Sequence, residues 1–329
     1  MDRGRPFAAF LRRFGLRPFG PRALALILLV CGGARASAPL PIREANWLVP
    51  AQRLHLLTTR PDECVPEDSP DIVSLVYGTV AFRDPMLLGG QAARAGLSCM
   101  SCHRSGRGNP GFQFPGLSGA PGTADVTSSL MSSHRGDGVS NPKPIPDLTF
   151  AMPKVSRVDQ RGLEAFIRGL IVEEFDGEPP SPVVLRGLAS YVRALDPKNC
   201  PSRQDQPYGL ANALVDYFVA LGAAETALVD RDSDTAIAML RGARSVLGGI
   251  DARYQEAGLE RQRAALEEAG LALAQIQQQL RDGGDPVATA DIVHKRWAGT
   301  RRWAEPLIRT EYLSLYNPKL LKAALGERR

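Results

Sequence analysis

The chain has 329 residues, 44% of them hydrophobic and 23% charged, which fits a water-soluble globular protein long enough for two ordinary domains. The formal net charge of +5 is concentrated at the front, because residues 1–36 hold seven arginines against one aspartate, a net of +6, and the rest of the chain is close to −1. A nearly neutral body gives no support for a nucleic-acid partner.

Residues 1–36 have the layout of an export signal. Arginines precede the apolar run Ala23–Val30, and Ala34-Arg35-Ala36 fits a small-x-small cleavage site before Ser37. Eight apolar residues are far too few to span a bilayer, so no transmembrane span is expected in the mature chain. Arg12-Arg13 hints at a twin-arginine signal. Cys31 follows Val30, which is bulkier than lipid-attachment sites usually accept. Removal near Ala36 places the mature protein in the periplasm with four cysteines: Cys64, Cys99, Cys102 and Cys200.

Residues 37–68 form an extended lead-in. Ser69-Pro70 then signals a helix start, and Ile72, Val73, Val76 and Val80 mark one face of a short helix ending at Phe82. Next comes Cys99-Met100-Ser101-Cys102-His103, a C-x-x-C-H motif. A zinc site needs a second pair of ligands, and no second C-x-x-C exists. A thioredoxin-like redox pair needs a βαβ context, whereas the flanks here are Gly, Ser and Pro loops. Covalent attachment of haem c needs two thiols two residues apart, one for each vinyl group, and an adjacent histidine for the iron. The export signal agrees with this third reading. It makes Cys99 and Cys102 thioether anchors and His103 the proximal ligand of one haem c.

The segment from Gly78 to His103 resembles the first haem segment of the di-haem cytochrome c peroxidase family. The resemblance rests on Gly78, Phe82, Asp84, Pro85, Leu87, Ser98, Cys99, Cys102 and His103, and extends over roughly residues 70–200. It implies a cytochrome c-like haem domain. That family carries two C-x-x-C-H motifs and this chain one, so a two-haem peroxidase relay does not carry over.

Residues 104–150 are rich in Gly, Pro, Ser and Thr, and a wrap over the haem face is the economical reading of so long a loop. Phe112 and Phe114 are candidates to pack on the porphyrin, and Arg104, Arg107 or Arg135 to pair with its propionates. Two amphipathic helices follow. One has Leu163, Phe166, Ile167, Leu170 and Ile171 on a stripe. The other, capped by Ser181-Pro182 and stopped by Asp196-Pro197, has Val184, Leu185, Leu188, Tyr191, Val192 and Leu195. The second is similar to the closing helix of cytochrome c domains, which crosses the N-terminal helix beside the haem. The same comparison brings Cys64 and Cys200, which bracket the domain, close enough for a disulfide in an oxidising compartment.

The distal ligand decides the chemistry. Met152 is the first choice, because its Met-Pro lies 49 residues after His103 and shortly before the closing helices, as in many small bacterial cytochromes c. His134, Met131 and an open site are the alternatives. A distal thioether suits electron transfer, whereas an open face admits peroxide.

Residues 201–208 look like a linker, and 209–329 an α-helical domain with helices at 209–229, 233–248, 253–282 and 286–316. The third has Leu259, Leu266, Ala269, Leu273, Ile276 and Leu280 at three-four spacing, ended by Gly283-Gly284. Trp297, Trp303, Tyr312 and Tyr316 give the last a bulky face suited to a core, and His294 is expected to be partly buried. The whole reading is a mainly α protein: a signal peptide at 1–36, a cytochrome c-like haem domain at 37–200 and the helical domain at 209–329. One-electron transfer to a periplasmic redox partner is the expected function. The alternatives are a peroxidase-like oxidoreductase and a haem-bearing sensor or assembly subunit whose helical domain binds a partner.

Overall fold

The computed structural model describes residues 42–150, 159–200, 202 and 204–326. The fold is mainly helical, as expected, with only three two-stranded sheets among the described residues. The described residues make one compact unit, and a single hydrophobic core runs from Ile42 to Leu321.

The lead-in is less extended than expected. It holds two 3-10 turns, Arg43–Trp47 and Pro50–Gln52, the short helix α1 (Arg53–Thr58) and strand β1 (Thr59–Pro61). Helix α2 spans Ile72–Arg83 and starts two residues after the Ser-Pro signal. Its buried side is only partly the expected one: Val80 is buried and Val76 packs on the core, but Ile72 and Val73 are exposed, and Leu75, Tyr77, Ala81 and Phe82 are buried with Val80. Neighbours cover α2 on several sides, so no single apolar stripe marks its inner face.

Short helices α3 (Gly90–Ala95) and α4 (Cys99–Cys102) follow. Strands β2 (His103–Arg104) and β3 (Arg107–Gly108) form a hairpin whose central residues, Ser105 and Gly106, both have positive φ. That is the turn geometry matching the twist of paired strands. Strands β4 (Thr123–Ala124) and β5 (Lys143–Pro144) punctuate the long loop. Helix α5 (Gln160–Gly169) runs into a π-helical turn at Leu170–Glu174, and α6 (Pro182–Ala194) is capped by Ser181, whose hydroxyl accepts from the Val184 N–H.

Helices α2 and α6 cross with their backbones nearly touching. A Cβ placed on Gly78 would lie 2.1 Å from the Gly187 carbonyl oxygen, so only glycine permits this approach. Phe82 and Tyr191 pack just beyond the crossing, ring centroids 4.9 Å apart.

The segment expected as a linker carries strand β6 (Asp205–Pro207), antiparallel to β1. Beyond it lie α7 (Leu210–Val229), α8 (Ser233–Arg253), α9 (Glu260–Arg281), α10 (Pro286–Gly299), α11 (Arg301–Thr310) and α12 (Pro318–Ala324). Helix α8 extends five residues past its expected end, and α9 starts only after the positive-φ Gly258. The expected last helix is broken at Thr300, and a 3-10 turn at Glu311–Leu313 ends its second piece. Of its bulky residues Tyr316 is buried, whereas Trp297 and Tyr312 are exposed. His294 is also exposed, paired with Glu225 at 3.2 Å. Periodicity continues across such breaks, which is why spacing alone merges the pieces.

Candidate functional site

Helix α4 is one turn long and holds Cys99 and Cys102. Its start is held by Ser101 and Ser98: the Ser101 hydroxyl accepts from the Ser98 N–H at 3.0 Å, and the Ser101 N–H donates to the Ser98 carbonyl at 3.0 Å. Its end is held by Asn109, whose side-chain amide donates to the Ser101 carbonyl at 2.8 Å and whose N–H donates to the Cys102 carbonyl at 3.0 Å. Both cysteines are unbridged and half-buried against the apolar core. Burial pushes both thiols up to about 12. A nucleophilic thiol pair needs the opposite shift. Among the described residues no group of three or more His, Cys, Asp and Glu side chains is placed to hold a bare metal ion.

His103 is the C-cap of this turn. Burial lowers its imidazole to about 4, so it is neutral near pH 7. Its Nδ1 lies 3.0 Å from the Pro146 carbonyl oxygen. A carbonyl only accepts, so Nδ1 carries the proton and Nε2 keeps its lone pair. The approach depends on Gly108, the β3 partner of His103, because a Cβ there would lie 2.8 Å from the Ile145 carbonyl oxygen. The ring of Phe82 sits 6.5 Å from the imidazole.

The lead-in borders the same region. Trp47 packs on Phe112 at 5.7 Å, its carbonyl accepts from the Gln113 N–H, and the Phe112 N–H donates to the Asn109 carbonyl. The Trp47 indole N–H is buried and meets no acceptor among the described residues. Phe112 is fully buried and Phe114 partly so.

The remaining expected residues divide. Met131 is buried in the core. The His134 side chain is 62% exposed and bonded to Asp176 at 3.0 Å, so it points away from the core. Met152 lies outside the described residues, as does the expected signal at 1–36. Cys64 and Cys200 stand at disulfide distance, with Cα atoms 4.9 Å apart. The three arginines proposed for propionates have protein partners instead. Arg104 binds Asp205 at 2.7 Å and the Thr59 carbonyl, Arg135 binds Glu173 and Glu174, and Arg107 contacts the Asp62 carbonyl and both sulfurs of the Cys64–Cys200 pair. Four contributors carry little sequence signal: Trp47, Asn109, Pro146 and Gly108. The one faint cue is the closeness of Asn109 and Gly108 to the motif.

The arrangement fits a covalent haem on the observations above: two neutral, half-buried thiols on one turn, an adjacent imidazole whose Nδ1–H bond leaves Nε2 to bind a metal, and an orphaned buried donor on Trp47 in the bordering lead-in. Comparison with protein-family models, curated proteins and solved structures found no match for this chain.

Proposed function

We propose that the chain is a mono-haem c-type cytochrome that transfers one electron in the periplasm. The observation that carries the reading is His103: it directly follows the C-x-x-C turn, and its Nδ1–H bond to Pro146 leaves Nε2 able to bind iron. Cys99 and Cys102 would hold the group through thioethers, and His103 would ligate its iron. Haem c, when bound, supplies a one-electron Fe(III)/Fe(II) couple. The Pro146 carbonyl fixes the ring's orientation and raises its basicity, as partners of a ligating histidine generally do. The α2–α6 crossing supplies an apolar wall through Phe82 and Tyr191. A Cys64–Cys200 disulfide agrees with an oxidising compartment. Met152 remains the proposed distal ligand, with His134 and Met131 behind it. His134 is held away from the core by Asp176, which makes it the weaker alternative.

The test is expression with a cytochrome c maturation system, then a haem stain after denaturation and an intact mass. One covalently held haem is expected, and Cys102→Ala should leave at most one thioether. Haem that extracts freely into acid solvent overturns the reading. The spectrum then decides the distal side. A low-spin protein that binds carbon monoxide slowly, and becomes reactive on Met152→Ala, supports electron transfer. Fast carbon monoxide binding and peroxide turnover in the unmodified protein move the function to a peroxidase-like oxidoreductase.

A further inference from the structure

The C-terminal helices carry no chemistry-bearing motif, yet α8 reaches the segment that leads into Cys99. It meets α2 at Gly242, where an added Cβ would lie 2.5 Å from Val80 Cγ1. This close approach brings Arg241 and Ser245, one helical turn apart, onto Asp84 just past the end of α2. Arg241 Nε donates to Asp84 Oδ2 at 2.5 Å, and Ser245 Oγ donates to Oδ1 at 2.8 Å. The Met86 N–H also donates to Oδ1, at 3.1 Å. Asp84 is only 2% exposed, so its charge is poorly screened by water. It follows Phe82, which faces His103, by two residues, and its carboxylate is near enough to act on the Cys99 thiol.

We infer that Arg241, held in register by Ser245, is a positioning residue of the haem site that sets the reduction potential through Asp84. The inference rests on the proposed haem at Cys99, Cys102 and His103. Its physical content is charge. A buried carboxylate beside a redox group stabilises the more positive oxidised state, and the Arg241 guanidinium offsets that bias. The helical bundle is therefore an electrostatic part of the redox centre.

The experiment is a potentiometric titration of the matured holoprotein in wild-type, Arg241→Gln, Asp84→Asn and doubly substituted forms. Arg241→Gln leaves Asp84 uncompensated and should lower the potential. Asp84→Asn leaves Arg241 uncompensated and should raise it. The double variant should return towards wild type. A tenfold change in the Fe(III)/Fe(II) equilibrium is ~59 mV for a one-electron couple, and shifts of about that order, opposite in sign for the two single variants, are expected for a unit charge in a weakly screened interior. Arg241→Lys keeps the charge and should stay close to wild type, which preserves the test if Arg241→Gln folds poorly. A purely structural clamp predicts no opposite signs. Shifts in one direction for both single variants, or no shift in either, overturn the inference. A wild-type protein that matures without covalent haem overturns the underlying reading, and this one with it.

Discussion

Gly78→Ala tests the helix crossing that builds one wall of the site. The new methyl would lie 2.1 Å from the Gly187 carbonyl oxygen, 2.6 Å from its carbonyl carbon and 2.7 Å from Tyr191 Cβ. Ordinary carbon–oxygen contacts begin at about 3.3 Å, so α2 and α6 must separate by about 1 Å. A gap of that size forfeits roughly a quarter to a half of each dispersion contact along the crossing. Overpacking costs about 1–3 kcal/mol, and the upper end applies here because the obstacle is backbone. Alanine recovers up to about 1 kcal/mol of helix propensity, leaving a net loss of about 2 kcal/mol. Urea unfolding followed by circular dichroism should show a midpoint roughly 1 M lower. Gly222→Ala is the control. It lies inside α7 with no heavy atom within 4 Å of its added Cβ, and it should be neutral or stabilising. A Gly78→Ala protein as stable as wild type would refute the close crossing and the placement of Phe82 and Tyr191 that depends on it.

Non-reducing peptide mapping should recover a Cys64–Cys200 linked pair. Its sequence separation of 136 gives a stabilisation of about 5 kcal/mol on the chain-entropy model, which Cys64→Ala/Cys200→Ala should largely remove. Gly108→Ala should push the Ile145–Pro146 backbone away from His103 and weaken the Nδ1–H bond. If the proposed haem is bound, the histidine would then be a poorer donor and the potential should rise, read by the same titration. Asp216 tests acid sensitivity. Burial raises its carboxyl, but Arg83 and Arg60 outweigh burial and hold it below its ordinary value of 3.8. The unfolded chain therefore takes up this proton first, so the stability is present above pH 3.8 and lost as pH falls through the lower folded value. Asp216→Asn should cost about 3–5 kcal/mol near neutral pH, because Arg60 loses its carboxylate partner and Arg83 keeps only Glu63. It should also flatten the acid limb of urea midpoints plotted against pH, and an unchanged limb would sink the assignment.

Signals that live in local sequence were the legible ones. The C-x-x-C-H spacing singles out Cys99, Cys102 and His103 because thiols and imidazole at that spacing have few other uses. Ser181-Pro182 marks the start of α6 because a cap and a proline act within one turn. The Gly283 stop of α9 is legible for the same reason, since only glycine takes its positive φ at no cost. What stayed hidden depends on contacts between distant residues. The inner side of α2 is only partly legible, because Ile72 and Val73 look like core residues as much as Val80 does until Gly187 is known to lie across Gly78. The arginines of the long loop look free for a ligand until Asp205, Glu173 and Glu174 are placed beside them. Pro146 offers a carbonyl, and every residue has one, so no spacing rule could have chosen it for His103.

The same distinction explains why two segments of different composition share one core. The segment before the motif and the helices after β6 meet through charged side chains whose partners lie far along the chain. Asp84 is held by Arg241, Asp216 on α7 by Arg60 and Arg83, and the Arg253 guanidinium on α8 by the Leu57 carbonyl. Arg83 also binds Glu63, which accepts from the Tyr191 hydroxyl, so the network runs from the bundle to the wall beside His103. A buried charge without its partner is costly, and that cost falls on either part folding without the other. Such a seam suits a redox site. If His103 holds the proposed haem, the fixed network behind Phe82 and Tyr191 would leave little to reorganise on electron transfer, and the helices beyond β6 supply part of that network.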